Sequence, residues 1–419
     1  MRPPSGDPRA VVGIVSGGHF LSHFYLLSFP PLFPTLRETF ALDAVGLGLV
    51  MSVVAVGMFL QVPAGVLVER VGAKRVFVLG VAVTGGGIAA AGLADSYPLL
   101  LAATLVSGVG QAAFHPADYT LLDAATDRSA EGKSFGVHTF GGYVGFAAAP
   151  LVVGALAAAF DWRVALLAVG GAGVAYALFA TVALAPVHRP RDGDDTSTDR
   201  APLADLARTL LRPKVLVLAV FFAGLVMGQK GVSTFTPLFV ATQLGMTEVA
   251  GNGVLTVFFS AGAVGVLVGG VVADRYDPHL VAVTALLAGS AALAALVAGV
   301  AGTGPAVAFP AFAFVGLCYG LPLPSRDRLV SAASSSTDVG TTFGVVFTAA
   351  AVGSFVSPTL LGGVIERAGT AAAFAVVALF FLVAAGVVLL LKLGLVGERT
   401  TRSEPVTRAG TEPTDGDDD

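Results

Sequence analysis

The sequence predicts an all-α membrane protein, with twelve transmembrane helices arranged as two pseudo-symmetric six-helix bundles. Three observations carry this reading: an apolar composition, long runs without charge, and a pattern that repeats at half the chain length. Of 419 residues, 55% are hydrophobic and only 12% are charged, and the mean hydropathy is +0.82. A soluble chain of this size needs far more polar surface. The net charge of −4, with basic residues scattered at the ends of apolar runs, excludes the basic patch of a nucleic-acid binder. Cys318 is the only cysteine, so no intramolecular disulfide can form and no cysteine-based zinc or redox motif is present.

The spans follow from the charge-free runs, because an ionised side chain at the bilayer centre costs about 3 kcal/mol on insertion scales. Such runs cover 10–36, 44–68, 76–94, 96–117, 134–160 and 164 up to the polar stretch at 187. The second series is 215–247, interrupted by Lys230, then 249–273, 278–325, 339–365 and 368–391. The run 278–325 is long enough for two helices and breaks at Gly302 to Pro305, which makes twelve. The first run is too long for a signal-peptide core and is read as a helix.

The expected organisation is a cytoplasmic N-terminus at 1–9, a first bundle at 10–186, a linker at 187–213, a second bundle at 214–396 and a disordered acidic tail at 397–419. Of the 24 lysines and arginines, Arg37, Arg163 and Arg367 alone fall on one side of the membrane and Lys230 falls within it. The remainder gather on the other side, which predicts a multi-pass cell-membrane protein with both termini cytoplasmic.

The repeat is read residue by residue. Pro63 to Arg75, P-A-G-V-L-V-E-R-V-G-A-K-R, is a short basic hinge between two apolar runs, containing Gly65, Glu69, Arg70, Gly72, Lys74 and Arg75. It returns as G-G-V-V-A-D-R from Gly269, so that Gly270, Asp274 and Arg275 match Gly65, Glu69 and Arg70. F-P-P-L-F at Phe29 returns as F-T-P-L-F at Phe235, and Pro116 returns as Pro324. In the fifth span Gly145, Pro150 and Gly154 return as Gly353, Pro358 and Gly362. Two homologous bundles can rock about a site between them, the physical basis of alternating access.

On these residues the chain resembles the major facilitator superfamily of secondary transporters, whose signature between spans 2 and 3 is G-x-x-x-D-R-x-G-R-K. Glu69 stands where that pattern has Asp and Ala73 where it has a basic residue. The resemblance implies that the loop locks one access state by pairing its acidic residue with a neighbouring helix end; alternatively Arg70, Lys74 and Arg75 only fix topology. Gly141 to Gly154 is similar to a glycine-proline motif of the superfamily's antiporters, which implies export; alternatively these small residues only let helices pack. H-F-L-S-H in span 1 and F-H-P-A-D in span 4 resemble fosmidomycin-resistance-like exporters.

Polar groups inside spans form the candidate site. Lys230, beside Gln229, follows Lys214 by about 24 Å along the seventh span and can bind an anionic substrate or take part in proton exchange; snorkelling is its structural alternative. His19 and His23, four apart, share one helix face and suit proton coupling; alternatively they serve packing, hydrogen-bonded to neighbouring helices. Two histidines at this spacing can ligate a metal, yet no acidic or cysteine partner stands nearby in sequence, and no metal or cofactor is expected beyond a proton or ion gradient. His115 and Asp118 share a face of the fourth span, where about 30 Å of helix from Pro98 sets Asp118 at the cytoplasmic edge. There it is expected to pair with Arg326 or Arg328 across the two halves and close the cytoplasmic gate in the outward-facing state; alternatively these are two solvated helix ends.

No nucleophile-base set or phosphate loop appears, so no enzyme is expected. The function expected is a secondary active transporter, monomeric, exporting a small amphipathic or anionic compound in exchange for protons. An organic-anion uptake symporter and a transport-inactive sensor or lipid-handling protein on the same bundle are the alternatives.

Overall fold

A computed structural model describes residues 7–126, 130–184, 212–299, 304–333 and 339–396. The tail at 397–419 and nearly all of the linker at 187–213 lie outside these. Among the described residues every regular element is helical. Eleven helical stretches are long and apolar enough to cross a membrane. They are α1 (Pro8–Phe40), α2 (Ala44–Val71), α3 (Ala73–Gly92), α4 (Tyr97–Ala125), α5 (Lys133–Ala159), α6 (Trp162–Ala183), α7 (Pro213–Leu244), α8 (Val249–Arg275), α9 (Pro278–Val297), α10 (Pro305–Ala332) and Thr342–Lys392. The last runs through a bend at Gly369, whose φ of 83° breaks the helical path, so it comprises two spans, α11 and α12. The chain is an all-α, multi-pass membrane protein of twelve spans.

The helices start where local chemistry dictates. Asp43, Asp161 and Asp277 sit at N-cap positions and their carboxylates accept from the backbone N–H groups of Gly46, Arg163 and His279 at 2.7, 2.7 and 2.8 Å. Each satisfies a donor that the first helical turn leaves open. The hinge between α2 and α3 turns at Gly72, with φ of 94°, a conformation that glycine adopts without a steric penalty.

Both halves break their fourth span at corresponding places. α4 is interrupted between Gln111 and Phe114, and α10 between Gly320 and Leu323. Pro116 and Pro324 follow directly and lack the N–H that would bond back across the gap. Irregular backbone at membrane depth is tolerated where protein or water surrounds it.

The halves meet at the end that carries Arg37, Arg163 and Arg367. There the Ala44 N–H donates to Glu366 Oε1 at 2.8 Å, Ser52 and Thr359 hydroxyls bond at 2.8 Å, and Gly48 packs so closely on the Pro358 carbonyl that a Cβ would overlap it. α5 and α8 join through Thr256, whose hydroxyl donates to the Ala147 carbonyl at 2.9 Å, and through Phe146 stacked on Phe259 at 4.9 Å between centroids. Beyond that stack the same two helices separate, leaving a cavity of about 270 Å³ lined by residues of both.

Candidate functional site

The first half encloses a cluster of four histidines and one aspartate. His19 and His23 come from α1, His115 and Asp118 from the restarted part of α4, and His138 from α5. Asp118 is 0% exposed, its Oδ2 lying 3.3 Å from His19 Nδ1 and 3.7 Å from His138 Nε2. The His19 and His138 rings stack at 3.8 Å, with His23 and His115 at 4.3 and 5.4 Å from His19.

Small residues make this density of rings possible. A Cβ on Gly142 would stand 2.7 Å from His23 Nδ1 and 2.8 Å from the His19 ring, so α5 approaches α1 at a residue without a side chain. Gly141 and Gly145 press on the carbonyls of Ser16 and Phe20 in the same interface. Gln111, at the break in α4, accepts from Ser22 Oγ at 2.7 Å and donates to the Ser22 carbonyl at 2.9 Å. This two-point brace sets α4 against α1 beside His23.

The cluster is chemically unfinished. His19 Nδ1, both nitrogens of His138 and both carboxylate oxygens of Asp118 are buried without a well-formed hydrogen bond among the described residues. Among the described residues no lysine or arginine pairs with Asp118. A buried carboxylate without a cation is costly unless it or a neighbouring imidazole carries a proton. One donor atom each from His19, Asp118 and His138 lies within 4.8 Å of the others, so the three can also reach a single cation. That possibility was not legible in sequence, where the carboxylate lies 99 residues from His19.

Asp118 is therefore placed differently from the expectation. α4 continues beyond it to Ala125, so it lies inside the helix and faces its own half, whereas Arg326 Nε bonds Asp327 at 2.9 Å. Arg328 pairs with Asp274 and donates from Nη1 to the Ala273 carbonyl at 2.7 Å. The structure thus shows no pairing of Asp118 with either arginine. The second signature loop is tied through Asp274 to the end of α10, and Arg275 is exposed.

In the second half Lys230 is half-buried and Gln229 buried. Lys230 lies within electrostatic range of His23, which sets it opposite the cluster across the interface between halves. Gly353 packs on the Ala223 carbonyl of α7, Gly362 on Ala44 and Gly154 on Asn252. These glycines of the fifth and eleventh spans serve close packing, two of them between halves.

Sequence reasoning missed His138. It sits five residues after Lys133, in a run that offers only Ser134 as a second polar group at helical spacing. The available signal was the small-residue stretch one turn later, which marks a close helix approach.

The family model described as Major Facilitator Superfamily matches residues 15–326 and 249–414. The D-galactonate transporter of Escherichia coli O6:H1 is 25% identical over 263 residues, 57% of this chain and 60% of that protein. The fosmidomycin resistance protein of Escherichia coli strain K12 is 24% identical over 275 residues, 63% of this chain and 65% of that protein. The chain thus spans less than two thirds of the length of these curated relatives. A crystal structure of a bacterial homolog to the human lysosomal transporter Spinster, inward-facing and unoccupied, superposes with a TM-score of 0.77 at 17% identity, covering 91% of this chain and 96% of that one.

Proposed function

The chain belongs to the Major Facilitator Superfamily, and on that premise we propose that it is a proton-driven antiporter exporting a small amphipathic or anionic compound. One observation carries the proposal: Asp118, sealed from solvent and without a lysine or arginine partner among the described residues, faces two stacked imidazoles with two more nearby. Such a group holds a proton stably in one state and must surrender it when water or a cation reaches it in the other. Lys230, across the interface from His23, supplies the positive charge that an anionic solute would meet. Solute at Lys230 and a proton in the cluster then occupy the cavity in alternation, the requirement for exchange.

By the distribution of basic residues, the joined end of the bundles is the outer one and the separated end faces the cytoplasm. On this reading the state is inward-open, ready to take solute from inside at the cell membrane. The relative named for fosmidomycin resistance favours export.

Uptake by symport is the second reading, favoured by the relatives named as galactonate transporters. The two are separated in proteoliposomes that contain a pH-sensitive dye, with fosmidomycin and D-galactonate as probes. Proton movement opposite to the solute supports exchange. Movement in the same direction supports symport, and solute flux without protons contradicts both.

A further inference from the structure

Arg326 occupies a position that the gate expectation does not explain. Its guanidinium lies over the Phe222 ring at 4.7 Å from the centroid, and its Nε bonds Asp327. The two terminal nitrogens take no hydrogen bond among the described residues. Three tyrosines surround it within electrostatic range: Tyr119 and Tyr143 from the first half, and Tyr319 from its own helix. Asp327 acts on Tyr119 and Tyr143 as well, and Asp118 on Tyr119. Tyr119 is 48% exposed, so the group is open to the cavity at the separated end.

Tyr143, within electrostatic range of this arginine, is part of the lining of the 270 Å³ cavity between α5 and α8. The rest is mainly apolar, with Phe135 and Phe140 on α5 and Val266 and Leu267 on α8. Phe140 and Leu267 are 53% and 62% exposed, so the crevice also opens at the outer surface of the bundle, where the acyl chains of a bilayer lie. It closes at the Phe146–Phe259 stack.

A planar guanidinium with free N–H groups, flanked by phenol donors, is suited to a carboxylate or a similar oxyanion. An apolar crevice beside it is suited to a hydrocarbon body. We infer that Arg326 with Tyr119, Tyr143 and Tyr319 binds the head of a single-chain organic anion whose apolar body lies in the crevice between α5 and α8. This rests on the transporter reading above and narrows its substrate class from amphipathic or anionic compounds to those that are both. The site takes head and tail from both halves, so its occupancy depends on how far the bundles are rocked apart.

The test uses full-length protein in phosphatidylcholine nanodiscs at one pH without a gradient, with empty nanodiscs as the blank. Binding of radiolabelled decanoate, propionate and decanol is compared. Decanoate is expected to bind saturably and at least about tenfold more tightly than either propionate or decanol, a difference of about 1.4 kcal/mol. Arg326→Gln loses that advantage, whereas Arg326→Lys, which keeps the charge, retains most of it. Ala263 of α8 also lines the crevice, and Ala263→Trp fills it and removes the dependence on chain length.

Equal binding of decanoate and propionate, or decanoate binding unchanged in Arg326→Gln, would overturn the inference. Tight decanoate binding that persists in Ala263→Trp would mean that the crevice merely admits bilayer chains, and would also overturn it. Because no proton gradient enters the assay, decanoate binding without coupled proton flux in vesicles would sink the antiport reading and leave this site standing.

Discussion

His19 Nδ1 and Asp118 Oδ2 stand 3.3 Å apart, both sealed from solvent, although 99 positions of sequence separate their residues. The contact exists because α4 restarts at Phe114 and so turns His115 and Asp118 toward α1. It brings a carboxylate to the histidines from a neighbouring span, and the behaviour of the cluster follows from that meeting.

His138 is the member whose removal separates chemistry from packing. Its ring is stacked on His19 and its two nitrogens lack hydrogen bonds among the described residues. His138→Phe keeps the stack and removes the nitrogens. Solute-coupled proton movement is expected to fall by about tenfold, with the melting temperature changed by only a few degrees. Proton counting in vesicles alongside thermal unfolding measures both.

Gly142→Leu places a side chain where the His19 and His23 rings already are. Overpacking of this kind costs about 1 to 3 kcal/mol. Thermal unfolding is expected to shift downward and transport to be lost, while Gly171→Leu, at an exposed position with open space around it, changes neither appreciably.

Gln111→Leu removes the brace on Ser22. A buried hydroxyl left without its partner costs about 1 to 3 kcal/mol, and the α1–α4 spacing that places Asp118 against His19 loosens. Stability is expected to fall by that amount and the proton coupling ratio to become variable. Denaturant or thermal unfolding in detergent reads the first effect and vesicle flux the second.

The closed end predicts a conformational phenotype. Gly48→Leu forces α2 away from the Pro358 carbonyl, so the outer end is held open. A cysteine introduced at Ser52, now sealed against Thr359, is expected to react with a membrane-impermeant maleimide from outside several-fold faster in that variant.

One pH dependence lies at the membrane surface. Asp277 accepts from Lys392 Nζ at 2.6 Å and from the N–H groups of His279 and Leu280, and the Lys392 bond foremost holds its carboxyl at about 2. A folded value below the unfolded one stabilises above the unfolded value, near pH 4, and the contribution is lost as pH falls through about 2. The pair is exposed, so the effect is small. Lys392→Met is expected to lower the melting temperature by about 1 to 2 °C at pH 7 and by less at pH 3.

The twelve spans and the two halves were legible because insertion into lipid depends on simple sums of side-chain polarity over about twenty residues. The break at Gly302 to Pro305 and the division near Gly369 could be read directly from the apolar runs. The candidate site was legible only in part. His19, His23 and His115 declare themselves as polar groups in apolar runs. Asp118 was assigned to the membrane edge because distance was counted from Pro98 as though α4 ended there, and the helix goes on to Ala125. His138 needed knowledge of which face of α5 meets α1, a property of packing that no spacing within α5 reveals. Arg326 illustrates the same limit, since its place over Phe222 depends on α7 lying beside α10.

Proton counting with a single substitution tests the central claim most directly. Proteoliposomes loaded with solute and a pH-sensitive dye are diluted into solute-free buffer, comparing the wild type with Asp118→Asn. In the wild type, outward solute flux is expected to drive protons inward. Asp118→Asn is expected to lose that proton movement by about tenfold or more while still exchanging labelled solute for unlabelled. Proton movement of wild-type size in Asp118→Asn would show that the cluster is not where the proton rides, and would contradict the account.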